Sequence, residues 1–296
     1  MPRMTIPSRP LVRFAPSPNG FLHLGHAYSA LLNARLVAAS SGDIMLRIED
    51  LDTERCTPAF ATAIETDLAW LGLVWTKPVR HQSRHLPIYE AALDRLAARN
   101  LLYPCFCSRG DIASAIEGRT DWPLDPDGSP LYPGTCRHLD AAKVARRLAD
   151  HADQQPFCLR IDGAAAREAV RDDLGWTEYR EGDVPFVHVA APELWGDAVL
   201  RRKAIPASYH LAVVVDDALQ GITDVIRGED LLEATSLHRL LQELLGLPAP
   251  SYRHHALVRD AEGHKLSKSR GSPSLRDLRQ RGASPTDLIE TLGLSV

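Results

Sequence analysis

Apolar and polar positions near the N-terminus predict a strand, a helix and a second strand in succession. The segment LVRFA at 11–15 has the pattern of a buried strand. Apolar residues at helical spacing then predict a helix over 24–39, closed by Gly42 as its C-cap. The segment IMLRIED at 44–50 predicts a second strand that ends in acidic residues. This order forms a βαβ unit, which indicates a parallel sheet.

The remaining apolar patterns alternate between helical and extended spacing. Helical spacing recurs in four segments, at 58–73, 86–100, 236–247 and 283–294. Extended patterns at 158–166 and 186–190 predict strands of an antiparallel insert, after a region rich in Cys, Gly and Pro. The continuous apolar run HLAVVVDDAL at 210–219 predicts a central parallel strand, because such strands are buried on both faces.

Together these elements predict an α/β fold with a parallel sheet in two halves, split by an insert. We assign 1–100 to the first half, 101–202 to the insert, 203–250 to the second half and 251–296 to a loop and short helical region. Ligands of such sheets bind beyond the carboxyl ends of the strands. The segment RFAPSPNG follows one predicted strand end, RIED closes another strand and RGEDL follows a third, so we expect them to line one site.

The overall charge neither indicates nor excludes a nucleic-acid partner. The 296 residues carry a formal net charge of −4, but a local basic stripe matters more than the total. Only five residues are lysine, and two of them, Lys265 and Lys268, lie in one short stretch. No apolar stretch reaches the roughly 18 residues of a membrane span, and no apolar signal core begins the chain. We therefore expect a cytoplasmic protein with no membrane partner.

The five cysteines favour a metal site over a disulfide framework, because their number is odd and no signal peptide precedes them. Cys105-x-Cys107 and, about thirty residues later, Cys136 supply three thiolates at a spacing that suits tetrahedral zinc. The chemistry alone leaves the fourth ligand open, although His138 is the usual choice. Three buried free cysteines are the alternative.

The stretch PSPNGFLHLGH at 16–26 joins a tight turn to the start of the first predicted helix. A helix N-terminus presents free N–H groups and the positive end of the helix dipole, which suits a phosphate. His23 and His26 lie near this end, and Gly25 leaves room for a flat base or ribose. These features meet the requirements for holding ATP with its α-phosphate open to attack. The alternative is a pair of surface histidines beside a helix cap.

The stretch GHKLSKSRG at 263–271 places two ammonium groups and two hydroxyls in a loop between glycines. Lys265 and Lys268 can follow the negative charge that develops on a pyrophosphate leaving group, and the glycines suit a mobile segment. A solvated basic loop is the alternative. Against it, lysine is rare in this chain and concentrates here.

The segments HLGH and KLSKS together resemble the two signatures of class I aminoacyl-tRNA synthetases, usually written HIGH and KMSKS. They occur in the expected order, far apart, with an insert between two sheet halves. Leu24 and Leu266 replace isoleucine and methionine, and neither change removes a polar catalytic group. The resemblance implies a Rossmann-like catalytic domain in which His23, His26, Lys265 and Lys268 are catalytic. It also implies that His23, Gly25, His26 and Lys268 bind ATP, with Mg²⁺.

The flanking segments RFAPSPNGFLHLGHA and LRIEDLDTER resemble glutamyl-tRNA synthetases. Arginine pairs a carboxylate through two parallel hydrogen bonds, so Arg13 and Arg227 suit the two carboxylates of glutamate, and Glu49 suits its ammonium. Ala15 and Ser17 lie on the same turn as Arg13, and Tyr209 and Arg227 match positions that contact glutamate in the family. Structural alternatives are an Arg13–Glu49 ion pair and a Tyr209 in the core.

The cysteine pattern and the chain's extent resemble one shortened branch of this family, the glutamyl-Q tRNA(Asp) synthetases. Their Cys-x-Cys…Tyr-x-x-x-Cys pattern matches Cys105, Cys107, Tyr132 and Cys136, which implies one structural zinc with Tyr132 as the fourth ligand. Only 25 residues follow KLSKSRG, so we expect no anticodon-binding domain.

The resemblance implies that a monomeric enzyme activates L-glutamate with ATP to glutamyl-adenylate. It then transfers glutamate to queuosine at position 34 of tRNA(Asp). Arg201 and Arg202 of the insert are candidates for holding phosphates of the anticodon stem. Three alternatives remain: a truncated conventional synthetase that charges tRNA(Glu), a catalytically silent tRNA-binding paralogue, and a small-molecule nucleotidyl transferase. The zinc-like insert and the context of HLGH count against the last.

Overall fold

The computed structural model describes residues 9–149, 157–179, 184–260, 263–264, 266 and 273–294. The strands are β1 (Leu11–Phe14), β2 (Asp43–Ile48), β3 (Thr76–His81), β4 (Leu102–Cys105), β5 (Cys158–Ile161), β6 (Gly175–Tyr179), β7 (Pro185–Val189), β8 (Val199–Arg201), β9 (Asp224–Gly228) and β10 (Ser251–His255). The helices are α1 (Leu24–Ser40), α2 (Pro58–Trp70), α3 (Leu86–Ala97), α4 (Arg109–Ala115), α5 (Ala141–Ala149), α6 (Gly163–Glu168), α7 (Tyr209–Leu219), α8 (Ala234–Leu245), α9 (Leu275–Gln280) and α10 (Pro285–Thr291).

Seven of these strands form one mostly parallel sheet in the order β3-β2-β1-β9-β10-β6-β7. Every neighbouring pair is parallel except β6 and β7, which are antiparallel. The order shows that chain segments from both ends of the sequence meet at the centre of the sheet, where β1 lies beside β9. This arrangement confirms the predicted α/β fold with a parallel sheet in two halves.

A second, three-stranded antiparallel sheet, β4-β5-β8, lies between the two halves in sequence. The predicted strand at 186–190 corresponds to β7, which pairs antiparallel with β6 but belongs to the main sheet. The predicted strand at 158–166 is right only to Ile161, because Asp162 caps the helix that follows by accepting from the backbone of Ala165. The assigned boundaries of the two halves and the insert stay predictions.

The run at 210–219 was wrongly predicted as a central strand, because it forms helix α7. The Ser208 side chain caps its start by accepting a hydrogen bond from the backbone of Leu211. Residues 211–217 are all buried, and two turns of buried residues cover every side of a helix, so the apolar run at 211–215 has the continuous pattern of a central strand. The true strand is the shorter β9, which begins five residues after α7 ends.

Two apolar clusters hold the helices on the sheet. One joins α3, α7 and α8, and the other joins α1 and α2 to the C-terminal helices α9 and α10. Burial of apolar side chains is the main source of stability in such layers. None of the helices in the described ranges is both long and apolar enough to cross a membrane.

The end of α1 differs in one detail from the prediction. Ser41, not Gly42, takes the left-handed conformation at the C-cap, with φ 53°. Gly42 is required for a different reason, since a Cβ there would lie 2.4 Å from the carbonyl oxygen of Pro10. The glycine therefore lets the chain pass close to the start of β1, beside which β2 then runs.

Candidate active site

A cleft of about 920 Å³ opens at the carboxyl ends of β1 and β9, beside the N-terminus of α1. Its position follows from the parallel sheet, which gathers these strand ends at one edge. The cleft is lined by all nine residues of the described chain that the sequence assigned to glutamate or ATP: Arg13, Ala15, Ser17, His23, Gly25, His26, Glu49, Tyr209 and Arg227. Arg55, Asp230, His255 and Leu257 also line it.

The two histidines of HLGH cap the helix that they begin. Nδ1 of His23 accepts from the backbone N–H of Gly25 at 3.1 Å, and Nδ1 of His26 accepts from that of His23 at 3.1 Å. The two rings lie 3.9 Å apart, centroid to centroid. This reciprocal capping box fixes both rings at the positive end of the helix dipole, where they line the cleft.

Gly25 keeps this arrangement compact. A Cβ at this position would lie 3.0 Å from Cε1 of His23, so a side chain would push the His23 ring out of place.

Leu266 of KLSKS also lines the cleft, and its backbone N–H donates to the carbonyl of Val258 at 3.2 Å. Lys265 and Lys268 lie outside the described residues.

Arg13 and Glu49 do not form the ion pair that was the structural alternative for them. Nε of Arg13 donates to Oδ1 of Asp217 at 3.1 Å, and Nη1 of Arg47 donates to the same oxygen at 2.7 Å. Arg47 also donates to Oε1 of Glu49 through Nη2 at 3.2 Å. Asp217 and Arg47 thus hold Arg13 and Glu49 side by side at the cleft wall.

Burial and charge act in opposite directions on the two acids of this wall. Burial raises the pKa of Asp217, but Arg13 and Arg47 outweigh it and hold the pKa below its ordinary value. Burial also raises the pKa of Glu49. The positive charges of Arg47 and Arg13 lower this pKa but do not outweigh burial, so it stays above its ordinary value. A ligand ammonium beside Glu49 would favour its ionised form.

Arg227, at the end of β9, is buried to 5% exposure. Its guanidinium donates five hydrogen bonds, and all five acceptors are neutral: Nε2 of His254 (3.1 Å), the hydroxyls of Tyr209 (3.3 Å) and Thr235 (2.7 Å), Nδ1 of His238 (3.3 Å) and the carbonyl of Leu231 (3.1 Å). In the described part of the chain no carboxylate forms an ion pair with it. A buried cation without a counter-charge is costly, so this end of the cleft suits an anionic ligand.

The histidines around Arg227 are held neutral. Burial and the positive charge of Arg227 lower the pKa of His210 to about 4 and that of His238 well below its ordinary value. Burial likewise lowers the pKa of His254, although its bond to Glu178 acts the other way. Neutral rings add no positive charge beside the guanidinium and accept its hydrogen bonds.

Sequence reasoning missed the acids and histidines that support these side chains. Asp216 and Asp217 lie within the run that was assigned to a strand, and Asp216 receives hydrogen bonds from Arg80, Gln82 and Tyr89. Two acids inside an otherwise apolar run were the available signal, because buried charges require partners. Glu178, His238 and His254 lie on segments with no motif to single them out.

Three of the four predicted zinc ligands come together in the insert, and the fourth lies against them. The Sγ atoms of Cys105, Cys107 and Cys136 lie within 4.8 Å of one another, and Sγ of Cys107 lies 3.6 Å from that of Cys136. Zn–S bonds of ~2.3 Å in a tetrahedron require sulfurs about 3.8 Å apart, so these residues fit zinc. The Tyr132 hydroxyl lies 3.3 Å from Sγ of Cys107, whereas His138 is exposed and outside the cluster.

Comparison with known proteins gives a consistent set of relatives. The family described as "tRNA synthetases class I (E and Q), catalytic domain" matches residues 11–295. A glutamyl-Q tRNA(Asp) synthetase of Rhodobacter capsulatus is 44% identical over 289 residues, which cover 96% of this chain and 100% of that protein. Glutamate–tRNA ligase 2 of Nitrosococcus oceani is 38% identical over 289 residues, 95% of this chain but 58% of the ligase.

Solved structures agree with the sequence relatives. The crystal structure of a glutamate tRNA ligase from Elizabethkingia meningosepticum, in complex with its amino acid, superposes with a TM-score of 0.69 at 27% identity. The match covers 93% of this chain and 54% of that one. This chain therefore spans about half the length of the ligase structure that it resembles.

Proposed function

The chain belongs to the family of class I tRNA synthetases for glutamate and glutamine, and from that premise we propose that it activates L-glutamate with ATP and transfers it to tRNA. The observation that carries the choice of glutamate is Arg227. It is a buried guanidinium in the cleft, held by neutral groups, without a carboxylate partner in the described chain. Glutamate supplies the missing negative charge, whereas the neutral side-chain amide of glutamine does not.

The cleft offers one group for each charge of glutamate. One carboxylate replaces the Tyr209 hydroxyl as the acceptor of its 3.3 Å bond from Arg227, and the freed Tyr209 hydroxyl donates to the same carboxylate. Arg13 pairs the other carboxylate with the nitrogens not engaged by Asp217. Glu49 takes the ammonium. Glu49 also donates its backbone N–H to the carbonyl of Pro16 at 3.1 Å, which ties the turn bearing Ala15 and Ser17 to the same wall.

ATP binds at the start of α1, where Gly25 leaves the backbone open and His23 and His26 face the phosphates. An oxygen of the glutamate carboxylate attacks the α-phosphorus in line, the bond to the pyrophosphate oxygen breaks, and glutamyl-adenylate forms. Lys265 and Lys268 offset the charge of the leaving pyrophosphate, a role assigned from the sequence pattern. Mg²⁺ that accompanies ATP supplies further charge neutralisation. Positioning and electrostatic stabilisation supply most of the rate.

We infer that the acceptor is queuosine at position 34 of tRNA(Asp). In this second step a ring hydroxyl of the modified base attacks the acyl carbonyl, an ester forms and AMP leaves. Support comes from the 44% identity along the whole length of the relative named glutamyl-Q tRNA(Asp) synthetase. Charging of tRNA(Glu) is the second candidate, because glutamate–tRNA ligases match at 38% identity.

An aromatic and basic surface of the insert supports an RNA partner. The Arg201 guanidinium stacks on Phe157, 4.6 Å from the ring centroid, and Phe157 lies 5.8 Å from Phe106. The Arg147 guanidinium lies 5.4 Å from the Phe106 ring centroid, and Nζ of Lys203 donates to the Phe106 carbonyl at 3.3 Å. Aromatic rings interleaved with arginine and lysine suit unstacked bases and phosphates.

We also propose that Cys105, Cys107, Cys136 and Tyr132 bind one structural zinc. The backbone N–H of Cys136 donates to the Tyr132 hydroxyl oxygen at 2.8 Å, which holds that oxygen toward the thiols. Elemental analysis of the purified protein should give one zinc per chain, and Tyr132→Phe should weaken its retention against a chelator. His138→Asn is the matched control. Weaker retention in the His138 variant alone would reassign the fourth ligand.

Pyrophosphate exchange into ATP tests the activation step. The proposal predicts exchange that depends on glutamate, with glutamine at equal concentration giving less than about one hundredth of the rate. Exchange without preference between the two amino acids would remove the argument from Arg227. Absence of any exchange, with and without tRNA present, would indicate a catalytically silent tRNA-binding paralogue.

A further inference from the structure

Arg13 and Arg227 are both buried at the cleft, but they are held in different ways. Arg13 contacts a carboxylate directly, through Asp217. Arg227 is linked to the carboxylate of Glu178 only through the His254 ring, by one hydrogen bond from Arg227 to His254 and a second between His254 and Glu178. The second arrangement fixes the guanidinium without neutralising it at close range.

The hydrogen bonds around Glu178 determine where the proton of His254 lies. Oε2 of Glu178 lies 2.9 Å from Nδ1 of His254 and accepts from Nε1 of Trp176 at 2.8 Å, and its Oε1 accepts from the backbone N–H of His254 at 2.9 Å. Burial raises the pKa of Glu178, but the hydrogen bonds from His254 and Trp176 outweigh it and keep the pKa below its ordinary value. An ionised carboxylate only accepts, so Nδ1 of His254 carries the proton.

In that tautomer Nε2 of His254 carries no proton and can only accept a hydrogen bond, as the Arg227 guanidinium requires. A guanidinium only donates, and Nε of Arg227 lies 3.1 Å from Nε2 of His254. The neighbouring pair repeats the pattern, since Nδ1 of His238 accepts from Arg227 and its Nε2 faces Nδ1 of His210 at 3.2 Å. Two neutral rings therefore hold Arg227 from two sides.

We propose that Glu178 and His254 are positioning residues for glutamate recognition: the carboxylate fixes the Nδ1–H tautomer of His254, whose Nε2 aims the Arg227 guanidinium at the ligand. The inference rests on the proposed function, because it assigns a role to residues behind the glutamate-binding arginine. Glu178 lies on β6 and Arg227 on β9, and β10, which carries His254, lies between them. The order of strands thus builds the relay across the sheet.

Two substitutions of His254 separate positioning from general stability. In His254→Gln the amide oxygen reaches about the position of Nε2 and still accepts from Arg227, whereas the shorter side chain of His254→Asn does not. We expect His254→Asn to raise the KM for glutamate by about 10- to 100-fold, the effect of losing one hydrogen bond to a charged group. The KM for ATP should stay within about twofold, and His254→Gln should recover most of the loss.

His188→Asn is the matched control, because its ring stacks on Trp176 at 4.2 Å without lining the cleft. It should leave both KM values unchanged. Equal effects of His254→Asn and His254→Gln on glutamate, or parallel losses for glutamate and ATP, would overturn the relay.

A direct measurement on the unaltered protein keeps the inference independent of how the variants fold. Nitrogen NMR of histidine-labelled protein at neutral pH should show the His254 ring protonated on Nδ1 and bare on Nε2, assigned by the loss of its signals in His254→Gln. A ring protonated on Nε2 would overturn the relay. Absence of glutamate-dependent exchange in the unaltered protein would instead refute the proposed function, so the two failures are distinguishable.

Discussion

Replacing Arg227 by methionine tests the reasoning about glutamate most severely. The substitution removes the positive charge and all five donors but keeps an unbranched side chain of similar length. Arg227 is only 5% exposed, so the proposed contact with the ligand lies in a site largely withdrawn from water. Truncating one member of a desolvated ion pair costs about 3–5 kcal/mol.

That loss converts directly into a kinetic expectation. At 1.4 kcal/mol for each tenfold change, the KM for glutamate should rise between about 100-fold and several thousandfold. The KM for ATP should change little, because the proposed nucleotide site lies at the start of α1 and not at the end of β9. The free energy of unfolding should fall by only about 1–3 kcal/mol, since the five acceptors lose their donors while a costly buried charge is removed.

The assay is pyrophosphate exchange at saturating ATP over a range of glutamate concentrations, with urea unfolding measured in parallel. Arg253→Met is the matched control, because Arg253 lies opposite Ile226 on the neighbouring strand and its guanidinium stacks on Tyr179 at 4.1 Å. A folded Arg227→Met protein whose KM for glutamate lies within threefold of the original value would refute the assignment. Equal losses in the two variants would do the same.

Four further outcomes follow from the geometry. Asp217→Asn removes the charge that holds Arg13, and we expect it to raise the KM for glutamate at least tenfold in the exchange assay; an unchanged KM contradicts this. His210 has a folded pKa of about 4 against an ordinary 6.5, so its neutral form contributes stability in full above pH 6.5 that is lost as the pH falls to 4. When the free energy of unfolding in urea is measured from pH 6.5 to pH 4, His210→Gln should lose up to about 3 kcal/mol less than the unaltered protein. The same pH dependence in both proteins would contradict this. Lys268→Met should lower kcat for exchange at least 100-fold with little change in the KM for glutamate, and a change confined to KM would argue for a binding role. Cys136→Ser should lower bound zinc below one per chain and lower the melting temperature, whereas unchanged zinc content would remove Cys136 from the site.

The βαβ start of the fold could be predicted from the sequence. Strands β1 and β2 are short segments with mostly buried positions, and HLGH marks the start of helix α1 between them. The helix α7 could not be predicted, because five successive apolar residues at 211–215, all buried, are typical of a central strand. Its capping serine at 208 was the one local signal for a helix start.

The candidate site also contains residues that the sequence could assign and residues that it could not. Residues proposed to contact the ligands lie in motifs with fixed spacing, so Arg13, Glu49 and the two histidines of HLGH could be assigned to one cleft, which they line. Residues that hold them, such as Asp217 and His254, depend on which strands and helices are neighbours in space. Sequence spacing carries no information on such long-range pairs, since Arg13 and Asp217 are 204 positions apart.

The acceptor is tested most directly by transfer of labelled glutamate, with ATP, to three purified tRNAs: tRNA(Asp) with queuosine, tRNA(Asp) without it, and tRNA(Glu). We expect labelling of the queuosine-containing tRNA(Asp) alone, with the label retained after the 3′-terminal nucleotide is removed. Labelling of tRNA(Glu) at its 3′ end, with none on tRNA(Asp), would contradict it and identify a conventional glutamyl-tRNA synthetase activity.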